Sequence, residues 1–184
     1  MTAAPLILRE RTDPSGMHCS ASFSPCERYR YLLTWRWSDE PLLVAWMLNP
    51  STATHEKLDP TITGLVSRAR AWGRGGVRVI NLLAFRATKP ADMKAAADPV
   101  GPLNDHITSD VLLSAALLGD EVICGWGAHG KHRARDRAAA ELARRAGVQL
   151  RCLATNRDGS PQHPLYIAHA TTPRPWAPPT GASA

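Results

Sequence analysis

Two asparagines stand where apolar runs of the chain are interrupted or end, a histidine follows the turn after a third such run, and each has chemistry that a hydrophobic stretch does not need. Asn49 follows the run 42–48 and opens the turn Asn49-Pro50-Ser51-Thr52-Ala53. An amide at that point can position a water or a substrate carbonyl, or bond its own backbone. Asn81 interrupts the run 77–83. A buried amide must find partners; its one acceptor and two donors can read the edge of a uracil-like ring or satisfy a neighbouring backbone group. His163 is held by Pro164. A histidine aimed in this way can donate to developing negative charge, or sit in a surface loop with no such task. Gly125-Trp126-Gly127-Ala128-His129-Gly130-Lys131 is a glycine-rich link into a basic segment. Backbone amides at a helix start attract phosphate, although this spacing is neither the P-loop nor the dinucleotide fingerprint. The candidate catalytic residues are Asn49 and His163. Asn81, Pro50, Ser51, Trp126 and Gly127 are candidate substrate contacts, and Lys131 and Arg133 candidate phosphate contacts. Asp59 is read as a helix cap, Asp105 as balancing a helix dipole and His129 as support for the pocket.

These residues need elements to bring them together. Residues 1–27 carry Pro5, Pro14, Gly16 and Pro25 and read as irregular, and 29–37 alternates as a strand, forming an antiparallel N-terminal edge. The runs 42–48, 77–83, 121–125 and 148–153 read as strands. Asp59-Pro60 starts a helix closed by Gly73, and helices follow over 104–118 and 132–145. Alternating strands and helices predict an α/β three-layer sandwich on a mainly parallel four-stranded central sheet. Ligands bind such sheets beyond the carboxyl ends of the strands, where all the residues above fall. One domain is expected over 1–171, with 172–184, rich in proline and small residues, as a disordered tail.

Composition bounds the partners. With 44% apolar residues in 184, the chain can build one core. Its apolar runs are shorter than the roughly 20 residues of a membrane span and its start lacks a signal pattern, so a cytoplasmic protein without membrane contact is expected. The four cysteines form no Cys-x-x-Cys pair, so free thiols are expected, with no metal and no cofactor. The formal charge of +6 is concentrated over 131–151, where Lys131, Arg133, Arg135, Arg137, Arg144, Arg145 and Arg151 face Asp136 and Glu141, a local 7 − 2 = +5. That run reads either as a surface for DNA or a nucleotide or as a solvated helix face. Oligomeric state stays open, with a monomer favoured.

Taken in order, Leu48-Asn49-Pro50-Ser51, Ile80-Asn81-Leu82-Leu83-Ala84-Phe85-Arg86-Ala87, Cys124-Gly125-Trp126-Gly127-Ala128-His129-Gly130 and His163-Pro164-Leu165 resemble the motif series of the uracil-DNA glycosylase superfamily. The span 46–166 resembles more closely a bacterial family catalogued as domain of unknown function 1643. It shares the Asn-Pro-Ser-Thr-Ala opening, Asp59-Pro60-Thr61-Ile62, the strand leading into Phe85-Arg86-Ala87-Thr88, Gly101 to Asp105, Trp-Gly-Ala-His-Gly and His-Pro-Leu-Tyr. The glycosylase resemblance implies that fold and hydrolysis of the N-glycosidic bond of a damaged or modified pyrimidine-type base, in the manner of DNA repair. Asn49 would position water, Asn81 would read the base, His163 would stabilise its departure and Phe85 would stand in for a stacking aromatic. Asn49 occupies the place of an aspartate in the most active branch, and an amide is no general base. A module that binds a modified base or nucleic acid without cleaving it, or an enzyme of free nucleotides, is therefore the alternative.

Overall fold

A computed structural model describes residues 5–51, 56 and 58–179. The chain begins with β1 (Ile7–Thr12) and β2 (His18–Phe23), an antiparallel hairpin. The irregular reading of 1–27 is corrected here. Pro14 and Gly16 belong to the hairpin turn, where Asp13 accepts from the amides of Ser15 at 2.8 Å and Met17 at 3.1 Å. Proline and glycine here turn the chain once between two paired strands instead of breaking it throughout. β2 buries Cys19, Ala21 and Phe23 in alternation, as a sheet strand with one face on the core should.

There follow β3 (Arg30–Arg36), β4 (Leu43–Met47), α1 (Pro60–Ala71), β5 (Gly76–Asn81), α2 (Pro90–Ala95), α3 (Asn104–Leu118), β6 (Glu121–Cys124), α4 (Arg135–Arg145), β7 (Arg151–Cys152) and β8 (Arg174–Pro175). The strands form one sheet in the order β1-β2-β3-β5-β4-β6-β7-β8. Parallel pairing joins β5 to β4, β4 to β6 and β6 to β7, while every other neighbour is antiparallel. The architecture is α/β on a mixed eight-stranded sheet with four α-helices among the described residues, larger than the expected sheet; β5, β4, β6 and β7 run parallel within it, and β1, β2 and β3 add an antiparallel N-terminal side.

β4 lies between β5 and β6 and is buried at all five positions, because both faces are covered. Val44 and Trp46 point into a core shared with Val111, Leu112 and Ala115 of α3 and Ala139 and Ala143 of α4. Leu43, Ala45 and Met47 point into the opposite core, with Ile62, Leu65 and Ala69 of α1 and the inner face of the β2–β3 hairpin. Asp59 caps α1 as expected, accepting from Ile62 N at 2.8 Å, with Pro60 at the first helical position. The helix expected over 132–145 starts only at Arg135, because Arg133 and Ala134 both take φ near +53°. The tail reading is corrected too. Trp176 is buried, its backbone N–H donates to Leu150 O at 2.9 Å and its indole N–H to Gly159 O at 3.0 Å. A proline-rich composition concealed one tryptophan that anchors it; residues 180–184 lie outside the described residues.

The cysteines differ sharply in environment. Cys19, Cys124 and Cys152 are buried, and burial pushes all three thiols up. Cys26 is exposed, and a hydrogen bond with Ser24, then with the Arg28 backbone, lowers its pKa to about 7. Iodoacetamide at neutral pH is expected to alkylate Cys26 in the native protein, the other three following only when urea unfolds it. Peptide mapping after timed quenching reads this; equal native labelling at all four would contradict the burial.

Candidate functional site

The parallel strands deliver their carboxyl ends to one side of the sheet. Met47 of β4 stands level with Asn81 of β5, and Trp46 with Cys124 of β6. Backbone bonds extend this alignment past the strands, from Leu82 N to Met47 O at 2.9 Å and from Gly125 N to Trp46 O at 2.9 Å. Beyond them opens a cleft of about 530 Å³ whose walls include Asn49, Asn81, Trp126, Gly127 and His163. Residues from four separate stretches of sequence thus meet at one place.

Asn81 is 2% exposed, yet its side-chain amide lines the cleft and has no hydrogen-bond partner among the described residues. Its backbone is firmly held. Asn104 Nδ2 donates to Asn81 O at 3.0 Å and Leu82 O at 3.1 Å, and Arg135 Nε donates to Leu82 O at 3.0 Å. Arg135 is itself buried and forks onto Asp105, with Nη1 at 3.0 Å from Oδ2 and Nη2 on Oδ1. Asp105 therefore ties α3 to α4 as well as opening α3. A fixed backbone thus presents an amide with uncommitted donors and acceptor to the cleft.

Asn49 is committed differently. Its Nδ2 donates to Ala87 O at 2.7 Å and Pro50 O at 3.0 Å. Both amide hydrogens are used, so Oδ1 is left as an oriented acceptor. Ser51 lines the cleft and is exposed, whereas Pro50 is buried behind it; Thr52 and Ala53 lie outside the described residues.

His163 is brought in by the last loop. Gly125 permits this: a Cβ there would lie 2.6 Å from Pro164 Cδ, so only glycine lets the loop rest directly on the end of β6. His163 Nδ1 accepts from Leu165 N at 3.3 Å. In the neutral ring the proton must then be on Nε2, which makes that atom a donor. Burial lowers the His163 pKa and the nearby Asp59 carboxylate partly opposes it, which favours the neutral ring.

Several wall residues escaped the sequence reading as site members. Asp59 lines the cleft as well as capping α1. Arg30 of β3 also lines it, 3% exposed, with burial lowering its pKa to about 10. Tyr166 lines it too, a residue 82% exposed whose ring centroid lies 5.7 Å from that of His163. Nothing in local patterning marks an arginine inside a strand or a tyrosine after a turn as a cleft residue.

Other predicted contacts fall outside. Phe85 does not line the cleft; its ring meets Tyr29 edge-on at 5.9 Å, across the isolated bridge that pairs the two residues. Lys131 Nζ lies 2.8 Å from Asp158, and Arg133 donates to Ala97 O at 3.3 Å; neither is in the cleft wall. The basic run as a whole is largely internally paired: Arg135 with Asp105, Arg144 and Arg145 with Glu141, Arg151 with Glu121. His129 does line the cleft, where its Nδ1 is 3.2 Å from Lys94 Nζ.

The walls of the cleft fall almost entirely within the stretch 30–165, which the family model described as "Protein of unknown function (DUF1643)" matches. The chain belongs to the DUF1643 family. Arg30 and Leu165, both cleft residues, stand at the two ends of the DUF1643 match. No curated protein and no solved structure matches the chain. Among the described residues there is no helix long and apolar enough to cross a membrane, and no group of three or more His, Cys, Asp or Glu placed to hold a metal ion.

Proposed function

We propose that the cleft binds a pyrimidine-type base and that the protein hydrolyses the N-glycosidic bond of that base in the manner of a uracil-DNA glycosylase. What carries the reading is the unspent, buried amide of Asn81 facing the same space as the Asn49 acceptor and the His163 donor. Asn81 offers a donor and an acceptor to the base edge. As the bond from C1′ to the base nitrogen breaks, its electron pair moves onto the base, and the Nε2–H of His163 donates to the base oxygen where the charge collects. Water, accepted at Asn49 Oδ1, adds to C1′. Asn49 cannot take the water's proton; Asp59, a carboxylate in the same wall, can. Tyr166 gives the face for stacking that Phe85 does not.

The test is release of free base from labelled single-stranded and duplex DNA containing uracil, thymine mismatches or hypoxanthine. Release by the wild-type protein is expected, with Asp59→Asn and Asn49→Ala reducing it to background while circular dichroism shows the fold retained. Base binding without release by any of the proteins would overturn hydrolysis and leave the binding module. Release only from mononucleotides would make the enzyme one of free nucleotides.

A further inference from the structure

Beside the cleft lies a second hollow, a groove of about 480 Å³ lined by Glu27, Arg28, Ser51, Phe85, Arg86 and Thr88. Ser51, Ala87 and Thr88 belong to both walls, so the two hollows meet along that edge. The two arginines are far apart in sequence but are brought together by the bridge between Tyr29 and Phe85, next to which Arg86 N donates to Arg28 O at 2.9 Å.

Arg86 is held in place before any ligand arrives. Its guanidinium lies over the Phe23 ring at 5.2 Å, and Nη1 donates to Glu27 O at 3.0 Å. A guanidinium has five N–H donors, so this anchoring leaves several for an anion. Neither Arg28 nor Arg86 forms a salt bridge with a carboxylate among the described residues; the Arg28 side chain hydrogen-bonds the Cys26 thiol, which leaves other guanidinium donors for a ligand. Among the described residues the groove wall holds one carboxylate, Glu27, and Arg9 takes it at 2.7 Å. Lys89 stands exposed just beyond Thr88. The groove is therefore a cationic recess next to the base site, whereas the basic run 131–151 is mostly paired with its own carboxylates.

We infer that this groove is a phosphate subsite, in which Arg28 and Arg86 bind the phosphate of a nucleotide whose base occupies the cleft. The ligand is thus a phosphorylated nucleoside, free or within a strand. A base in the cleft puts its sugar at the shared edge, where the Ser51 and Thr88 side chains are available, and the attached phosphate falls in the groove. A planar, pre-fixed guanidinium suits two phosphate oxygens better than an ammonium would. The inference rests on the base reading of the cleft for what sits next door, but the groove can be tested without it.

The experiment titrates calorimetrically the wild-type protein, R28Q and the R28Q/R86Q double variant. The probes are deoxyuridine, its 5′- and 3′-monophosphates, a trinucleotide with a central deoxyuridine, and the same trinucleotide with an abasic centre. One monophosphate is expected to bind the wild type roughly tenfold or more tightly than deoxyuridine, as charge-assisted hydrogen bonds imply. The double variant should lose that gain and keep its affinity for deoxyuridine. R28Q, altered at an exposed residue, should lose part of it, which keeps the test valid if removing Arg86 from Phe23 loosens the fold. A further gain with the trinucleotide identifies a strand as the source of the phosphate; no further gain identifies a free nucleotide. Equal affinity for deoxyuridine and both monophosphates, or a phosphate preference that survives R28Q/R86Q, would overturn the groove and leave the base reading standing. An abasic trinucleotide that binds as well as the uracil one, with the same dependence on the arginines, would keep the groove and overturn the base reading.

Discussion

His163→Ala is expected to slow base release roughly 10²–10³-fold, the usual cost of removing one well-placed donor to developing negative charge, with little change in affinity for the substrate. The expectation depends on a tautomer. Because Nδ1 accepts from Leu165 N, the neutral ring carries its hydrogen on Nε2. His163→Gln, which can still present an N–H, should recover part of the loss. The pH profile tests the same point independently. Burial lowers the folded pKa of His163 below the ordinary value of about 6.5, with Asp59 opposing. Release should therefore stay level as pH falls through about 6.5 and decline only below the lowered pKa. A mechanism needing the imidazolium would instead rise over that range. Stability follows the same sign. Below about pH 6.5 the unfolded chain binds a proton that the folded state resists, so folding stability falls with pH until the folded pKa is passed. His163→Gln should remove part of that slope but not all of it, because burial also lowers His132. Unchanged release by His163→Ala would take this residue out of the mechanism.

The legible parts of the chain are those whose cause is local. Asn104–Leu118 is helical as read, and Asp59 caps α1, because a cap, a proline and an apolar period each act within a few residues. The polar residue at Asn81 could be seen because Val79, Ile80, Leu82 and Leu83 flank it on both sides. What was not legible depends on contacts between distant segments. Phe85 looked like a cleft aromatic, but it packs against Tyr29, 56 residues earlier, by a bridge no periodicity announces. The charge run over 131–151 reads either as a polyanion surface or as a solvated helix face, and neither reading includes Asp105, Glu121 and Asp158, which lie outside the run and pair with Arg135, Arg151 and Lys131. Local counting sees the cations and misses the anions that fold onto them.

Arg68 is the extreme case of a distant partner, and its replacement should have the largest effect on the architecture around the site. It lies on the buried face of α1 with Ile62, Leu65 and Ala69, 2% exposed, where sequence logic would put an apolar residue. It spends its donors on the carbonyls of Ile167 at 2.5 Å, Ala168 at 3.1 Å and His169 at 2.9 Å. Burial lowers its pKa, but an arginine stays charged at neutral pH. Three carbonyls directly after the loop that carries His163 are thus gathered by one side chain. Arg68→Met keeps the length and removes the charge, and should cost about 2–4 kcal/mol of stability by urea denaturation, since charge-assisted bonds are lost while the stem still packs. Arg68→Lys should fall between, because an ammonium cannot fork to three acceptors in one plane. The informative readout is local. Amide exchange over 165–169 should quicken in Arg68→Met at urea concentrations where α3 and β4 remain fully protected. Unchanged exchange there would mean that Gly125 and Pro164 alone hold the loop. Quickened exchange, with a loss of His163-dependent base release, would mean that a cation buried on the core side of α1 fixes the position of the donor through the carbonyls that follow its loop.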